Sequence, residues 1–376
     1  LIPQDQSYLL HDGYASIFVP GFHFGFAPRL LPGAVLSLFT PFRGRKQLTV
    51  FFYVVLFLTF FLITWVAGRL IRSAGSDTKR MTIFFVALFL AGPYTNAFLF
   101  PRLFSPDRFI AALAVLSLVV LYKPKVRWLL PLILFAAQAT HPMFTFAYMP
   151  LIALLLLYEL YKNKFAKKEW LFVIVNYIVI IASTAWSYLF TGYKNVTLEE
   201  FVAFAKSKTD IPVDEEKYEG FFFLNPEKFF GYAKDISLTT DALDAELRAT
   251  VFLLPLIALF VFVWVNAYRR ASSKFERFLF VMCLLVPIAR LPLFLTTTET
   301  YRGRIAALVV QFALILYLLY RNNEAVRESV VKLGSLLRKN VLPMLLVVSY
   351  YAATFSTYVF ADDWVRWLQE FVNPRL

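Results

Sequence analysis

The residues with chemical potential fall in short polar stretches between apolar runs. The opening IPQDQSYLLHDGYASIFVPG holds Asp5 and Asp12, seven residues apart and therefore two turns apart on a similar face if the segment is helical. Either carboxylate, partly desolvated beside a bound hydroxyl, is a candidate general base. Both also fit the plainer role of solvated loop residues. His11 between them suits an orienting neighbour better than a metal ligand, because the chain has 3 histidines and no paired metal spacing.

In TYRGRIAAL, Arg302 and Arg304 stand where a turn enters a helix. Guanidinium groups there bind a phosphate or pyrophosphate bidentately and stay charged, or else anchor ordinary lipid headgroups. Arg290, bracketed by Pro287 and Pro292 inside an apolar run, is costly unless it faces a cavity or partner or snorkels outward. In FLFPRLFSPDRFIAAL, Ser105 or Asp107 suits helix capping and leaves Arg102 as the freer side chain. The ATHPMF turn sets His141 at a helix end, where it could contact a sugar or phosphate or cap a carbonyl. A divalent metal is possible at such a surface site but is not implied by these residues.

These groups need elements to hold them, and the composition says of what kind. Hydrophobic residues make up 59% of the 376 positions, and the mean hydropathy is +0.63, well outside the range of water-soluble domains. The expected fold is all-α, a polytopic membrane bundle. Apolar runs cover 48–69, 81–98, 108–122, 128–141, 144–160, 170–190, 249–267, 277–295, 303–320 and 341–360, which predicts about ten spanning helices.

The net charge of +13 is spread in clusters between the runs and not in one stripe, which argues against nucleic acid as partner. Alternate connections, at 69–80, 122–127, 161–169, 268–277 and 320–340, carry more than half of the 38 Lys and Arg residues and are expected to face the cytoplasm. Arg43, Arg45 and Lys46 vote the other way and are outweighed. The external side then receives 1–47, the insert 191–248 and the tail 361–376, with most of the candidate residues, Asn96, Asp107, Arg108 and Glu299 included. The single cysteine, Cys283, forms no intrachain disulfide.

Within the external parts, Phe26–Phe42 is broken by prolines and reads as interfacial or re-entrant. Leu198–Lys206, started at Thr197, and Asp241–Arg248 read as short helices of a cap on the membrane face. The tail DDWVRWLQEFV reads as an interfacial amphipathic helix. An external start followed by ten crossings leads us to expect a further helix ahead of Leu1.

An acidic external first loop, the block SPDRFIAALAVLSLVVLYKPKVRWLLPLILFAAQATHP and an arginine-bearing late turn together resemble the GT-C fold glycosyltransferases, membrane enzymes that use lipid-phosphate-linked sugars. The likeness is one of organisation over most of the chain. It implies a polyprenyl-phosphate sugar donor, a sugar, lipid or protein acceptor, a surrounding of membrane lipid, and a bacterial or archaeal plasma membrane. It implies Asp5 as catalytic base with Asp12 second, and Arg302 or Arg304 on the carrier phosphate. Two features depart from the pattern: Gln4, Asp5 and Gln6 replace an adjacent acidic pair, and no helix precedes the loop in this sequence.

A transporter or flippase for a lipid-linked or small polar substrate is the chief alternative, with Arg290 and its prolines lining a pathway. A polysaccharide polymerase or ligase of another membrane fold, and a non-catalytic subunit of a membrane complex, are the others.

Overall fold

The computed structural model describes residues 15–91, 106–190, 192–223, 240–292 and 300–338. Among them the regular secondary structure is helix, with no strand. In chain order the helices are α1 (Leu31–Ser37), α2 (Arg45–Ser73), α3 (Lys79–Ala91), α4 (Asp107–Tyr122), α5 (Leu130–Thr140), α6 (Phe144–Ala147) and α7 (Met149–Lys162). There follow α8 (Lys167–Leu189), α9 (Leu198–Lys208), α10 (Glu215–Phe222), α11 (Thr240–Arg270), α12 (Lys274–Leu285), α13 (Thr300–Tyr320) and α14 (Glu324–Leu337). Single 3-10 turns at Arg127–Leu129 and Val286–Arg290 lead into α5 and out of α12.

Four helices among the described residues are long and apolar enough to cross a bilayer, within α2, α8, α11 and α13. The chain is thus an all-α membrane protein with several apolar spans, and the expectation of about ten is corrected. The runs at 108–122, 128–141 and 144–160 do form helices, but they are cut short. α4 has 16 residues and α5 has 11, so at about 1.5 Å per residue they reach about 24 and 16 Å, less than the ~30 Å hydrocarbon core. Prolines do the cutting. Pro131 and Pro150 occupy first turns of α5 and α7, where a missing N–H costs nothing, and so each fixes a helix start inside an apolar run. α12 gives way to the 3-10 turn at Val286–Pro287. The run 81–98 is described only as far as Ala91, and 341–360 lies outside the described residues.

The chain divides into two compact units, Leu1–Gly68 with Phe98–Tyr232, and Arg69–Ala97 with Ala233–Leu376. In the first, α4 and α5 form a hairpin, α5 packs on α8, and α8 on α7. The start of α2 meets the start of α4, with Phe52 and Phe109 rings 5.2 Å apart. Far along the sequence from α4, the insert closes over this end. α9 and α10 bury Phe201, Tyr218 and Phe222 against Phe18, Phe24 and the foot of α2.

The insert is stitched down by polar contacts. Tyr218 Oη donates to the Ser16 carbonyl at 2.5 Å, Thr209 Oγ1 to the Arg43 carbonyl at 2.9 Å, and the Arg45 N–H to Asp210 Oδ1 at 2.7 Å. Thr197 opens α9 with a reciprocal capping box with Glu200, as its spacing predicts. Phe26–Phe42 contains only the short α1, which begins with Pro32 in its first turn.

In the second unit, α11 packs on α12 and α14, and α13 on α3 and the 3-10 turn. Asp241–Arg248, expected as a separate short helix, is the beginning of α11, which runs on through Pro255. Gln311 joins three elements. It accepts from Trp264 Nε1 at 2.6 Å and donates to the Cys283 carbonyl at 2.8 Å, satisfying buried groups in an apolar setting. Asn323 caps α14 and also donates to the buried Glu276 carboxylate at 2.8 Å.

Candidate functional site

One end of the first unit collects polar groups that an apolar bundle has reason to exclude. α4 begins there with Asp107 and Arg108, both buried. Asp107 occupies the first helical position, and no side chain caps the helix at Pro106. α4 and α5 pack against each other as a hairpin, and the Phe109 ring in the first turn of α4 lies 6.3 Å from that of Phe18. The last turn of α5 carries Gln138, Thr140 and, as C-cap, His141, all buried. The Arg29 N–H donates to the Ala139 carbonyl at 2.9 Å and ties the 15–40 segment to the same turn.

The histidine is oriented by its own backbone. Nδ1 accepts from the Met143 N–H at 3.1 Å, so in the neutral ring the proton sits on Nε2. The Gln138 amide is fully buried, and neither its oxygen nor its nitrogen meets a hydrogen-bond partner among the described residues. A buried amide left so is costly, and it marks a place where another polar molecule would be stabilised.

Arg43 makes the same point with a charge. Its main chain is pinned by Lys208 and Thr209, which holds the side chain under the cap, 4% exposed. Its Nε has no hydrogen-bond partner among the described residues. Burial pulls the guanidinium below its ordinary pKa, and the neighbouring Tyr218 partly restores it. Gly21, in the left-handed region at φ 54°, brings the 15–25 loop across it: a Cβ there would stand 3.4 Å from Arg43 Nη1. The same burial raises the pKa of Tyr218 and keeps its hydroxyl protonated. The buried Arg43 guanidinium can hold an anion, whereas the Tyr218 proton is already given to the Ser16 carbonyl.

Of the residues singled out from sequence, Asp5, Asp12, His11 and Arg102 lie outside the described residues, as do Asn96, Ser105 and Glu299. His141 belongs to the polar end just described. In the second unit, Arg302 and Arg304 share the first turns of α13, and the Arg304 side chain is buried. Arg290 ends the 3-10 turn and is half-buried; that turn packs on α13, the helix that carries Arg304. Among the described residues no three of His, Cys, Asp or Glu come together as a metal-binding group.

Sequence reasoning missed Gln138 and took Arg43 for a stray topology signal. Gln138 was discoverable as the one amide in FAAQATHP, three residues and so about one turn before His141. Arg43 owes its burial to Thr209 and Tyr218, which no local pattern connects to it. No family model, no curated protein and no solved structure matches this chain.

Proposed function

We propose that this membrane protein is a glycosyltransferase that moves a sugar from a polyprenyl-phosphate carrier to an acceptor at the external membrane face. The observation that carries the reading is the capped polar end of the first unit, where Arg43 and Gln138 are buried and, among the described residues, Nε and the amide have no hydrogen-bond partners. A donor with a phosphate and a polyhydroxylated sugar supplies the anion and the hydrogen-bonding groups that such an end lacks, and its isoprenoid tail suits apolar helix surfaces. The resemblance to GT-C enzymes, drawn from the sequence, points the same way.

In this mechanism Asp5, with Asp12 second, takes the proton from the acceptor hydroxyl as its oxygen attacks the anomeric carbon. The bond from that carbon to the phosphate oxygen breaks, and the electron pair leaves with the carrier phosphate. A guanidinium beside the departing phosphate stabilises its developing charge, an effect that grows where water is excluded. Arg43 is our first choice for that role in the first unit, with His141 and Gln138 orienting the sugar. Arg302 and Arg304 keep the phosphate-binding role that the resemblance implies, and Arg304→Gln tests it separately.

The test is a reconstituted assay in which the full chain is given labelled polyprenyl-phosphate hexoses and release of polyprenyl phosphate is followed. Asp5→Asn and Arg43→Gln are each expected to slow release by about 100-fold or more, the usual worth of a base or of an oxyanion donor. Unchanged release in both variants overturns the proposed site. One observation favours a transporter instead: α12 breaks into a 3-10 turn that ends at Arg290, as in discontinuous transporter helices. Uncleaved donor reaching the opposite leaflet would support that reading.

A further inference from the structure

The opposite end of the first unit has a different character. Two turns lie side by side there, the α4–α5 connection with Lys123, Lys125 and Arg127, and the α7–α8 connection with Lys164, Lys167 and Lys168. One ion pair joins them. Arg127 Nη1 donates to Glu169 Oε2 and Nη2 to Oε1, each at 2.8 Å, with the guanidinium 4.8 Å from the centre of the Phe172 ring.

This pairing consumes the one carboxylate that the two turns possess. What remains is of a single sign. Lys123, Lys125, Lys164, Lys167 and Lys168 are all exposed, and among the described residues no ion pair engages them. Lys164 and Phe165 both adopt left-handed backbone, at φ 53° and 56°. Side-chain-bearing residues do so seldom, and the consequence is a tight turn with both side chains exposed.

Large apolar rings stand among the lysines. Trp128, Phe165 and Trp170 are exposed, the Phe165 and Trp170 rings are 6.4 Å apart, and Lys123 Nζ lies 5.2 Å over the Trp65 ring near the far end of α2. Trp170 sits in the first turn of α8, a helix long enough to span. The rings therefore stand at headgroup depth, where tryptophan is favoured.

We propose that this face seats the headgroup of an anionic phospholipid of the leaflet it touches. The lysines take the phosphate, and Trp128, Phe165 and Trp170 take the glycerol and the first acyl carbons. A free phosphate ion would use the lysines and leave the exposed rings without purpose. An acidic protein would have to reach rings that lie at the depth of the lipid.

The experiment uses the full chain in nanodiscs that mix phosphatidylcholine and phosphatidylglycerol, with one or the other lipid brominated, and reads quenching of tryptophan fluorescence. Brominated phosphatidylglycerol is expected to quench more than brominated phosphatidylcholine at the same mole fraction. Most of that excess should disappear in the double variant Trp128→Phe, Trp170→Phe. It should fall at least about twofold in the triple variant Lys164→Glu, Lys167→Glu, Lys168→Glu, and also in the unaltered protein in about 0.5 M salt, where screening is short-ranged. The salt arm reads the same interaction without relying on the variant's folding. Equal quenching by the two lipids, an excess indifferent to both charge reversal and salt, or loss of the excess to added inorganic phosphate at the same ionic strength would each overturn the proposal.

Discussion

Arg127 and Glu169 are about one-tenth exposed and bonded through both oxygens, so among the described residues each answers the other's charge. Glu169→Ala strands a buried guanidinium against Phe172 and is expected to destabilise the solubilised protein by about 3–5 kcal/mol, whereas replacing both by Met and Leu costs less than either single loss. Denaturation midpoints of the two single variants and the double variant measure this. A double variant as unstable as the sum of the singles would show that the two residues act independently. The pair was not legible beforehand, because Arg127 and Glu169 read as members of two basic turns and nothing local shows that those turns touch. His141 was legible, since a histidine before Pro142 at the end of an apolar run has few places to be other than a helix terminus. The role of Arg43 was not, because a basic residue near the start of an apolar run looks like a headgroup anchor until distant chain closes over it.

At the scale of elements, α1 rests on the 15–18 segment at Gly33, where a Cβ would fall 1.8 Å from the Phe18 carbonyl oxygen. The obstacle is backbone and cannot rotate away. Gly33→Ala is expected to cost about 3 kcal/mol, the upper range for overpacking, seen as a lowered thermal midpoint; an unchanged midpoint would mean that α1 does not rest there. In the second unit, the hydrogen bond from Arg327 Nε to Asp77 at 2.7 Å links the α2–α3 turn to α14 and holds the Asp77 pKa below its ordinary value. A depressed folded pKa contributes stability above the unfolded carboxylate's range and loses it as pH falls through the folded value. Asp77→Asn should therefore weaken the protein modestly at neutral pH, where exposed pairs are worth little, and the difference should begin to shrink below about pH 4 and disappear only once the pH has fallen through the depressed folded value. Thermal midpoints of the two proteins across that range test the sign.

At the scale of the whole molecule, apolar runs outnumber the described helices that can span. The four long runs at 48–69, 170–190, 249–267 and 303–320 each contain a helix long enough to span, because length and apolarity there coincide. The α4 to α7 region is as apolar, yet a hydropathy window does not see that Pro131 and Pro150 divide it into helices too short to cross singly. The block SPDRFIAALAVLSLVVLYKPKVRWLLPLILFAAQATHP, expected as paired helices with a basic turn, does form a helical hairpin, but neither helix is among the candidate spans. At one end of the first unit stand Arg43, Arg108, Gln138 and His141 under the insert, and at the other the exposed lysines. The two ends thus differ in chemistry, and the function proposed for the unit depends on their meeting different compartments. The most direct measurement is labelling of single cysteines by a membrane-impermeant maleimide in whole cells, in a Cys283→Ala background. Lys194→Cys, in the cap, should label in intact cells and Lys125→Cys only after permeabilisation, whereas labelling of both from the same side would contradict a first unit that crosses the membrane.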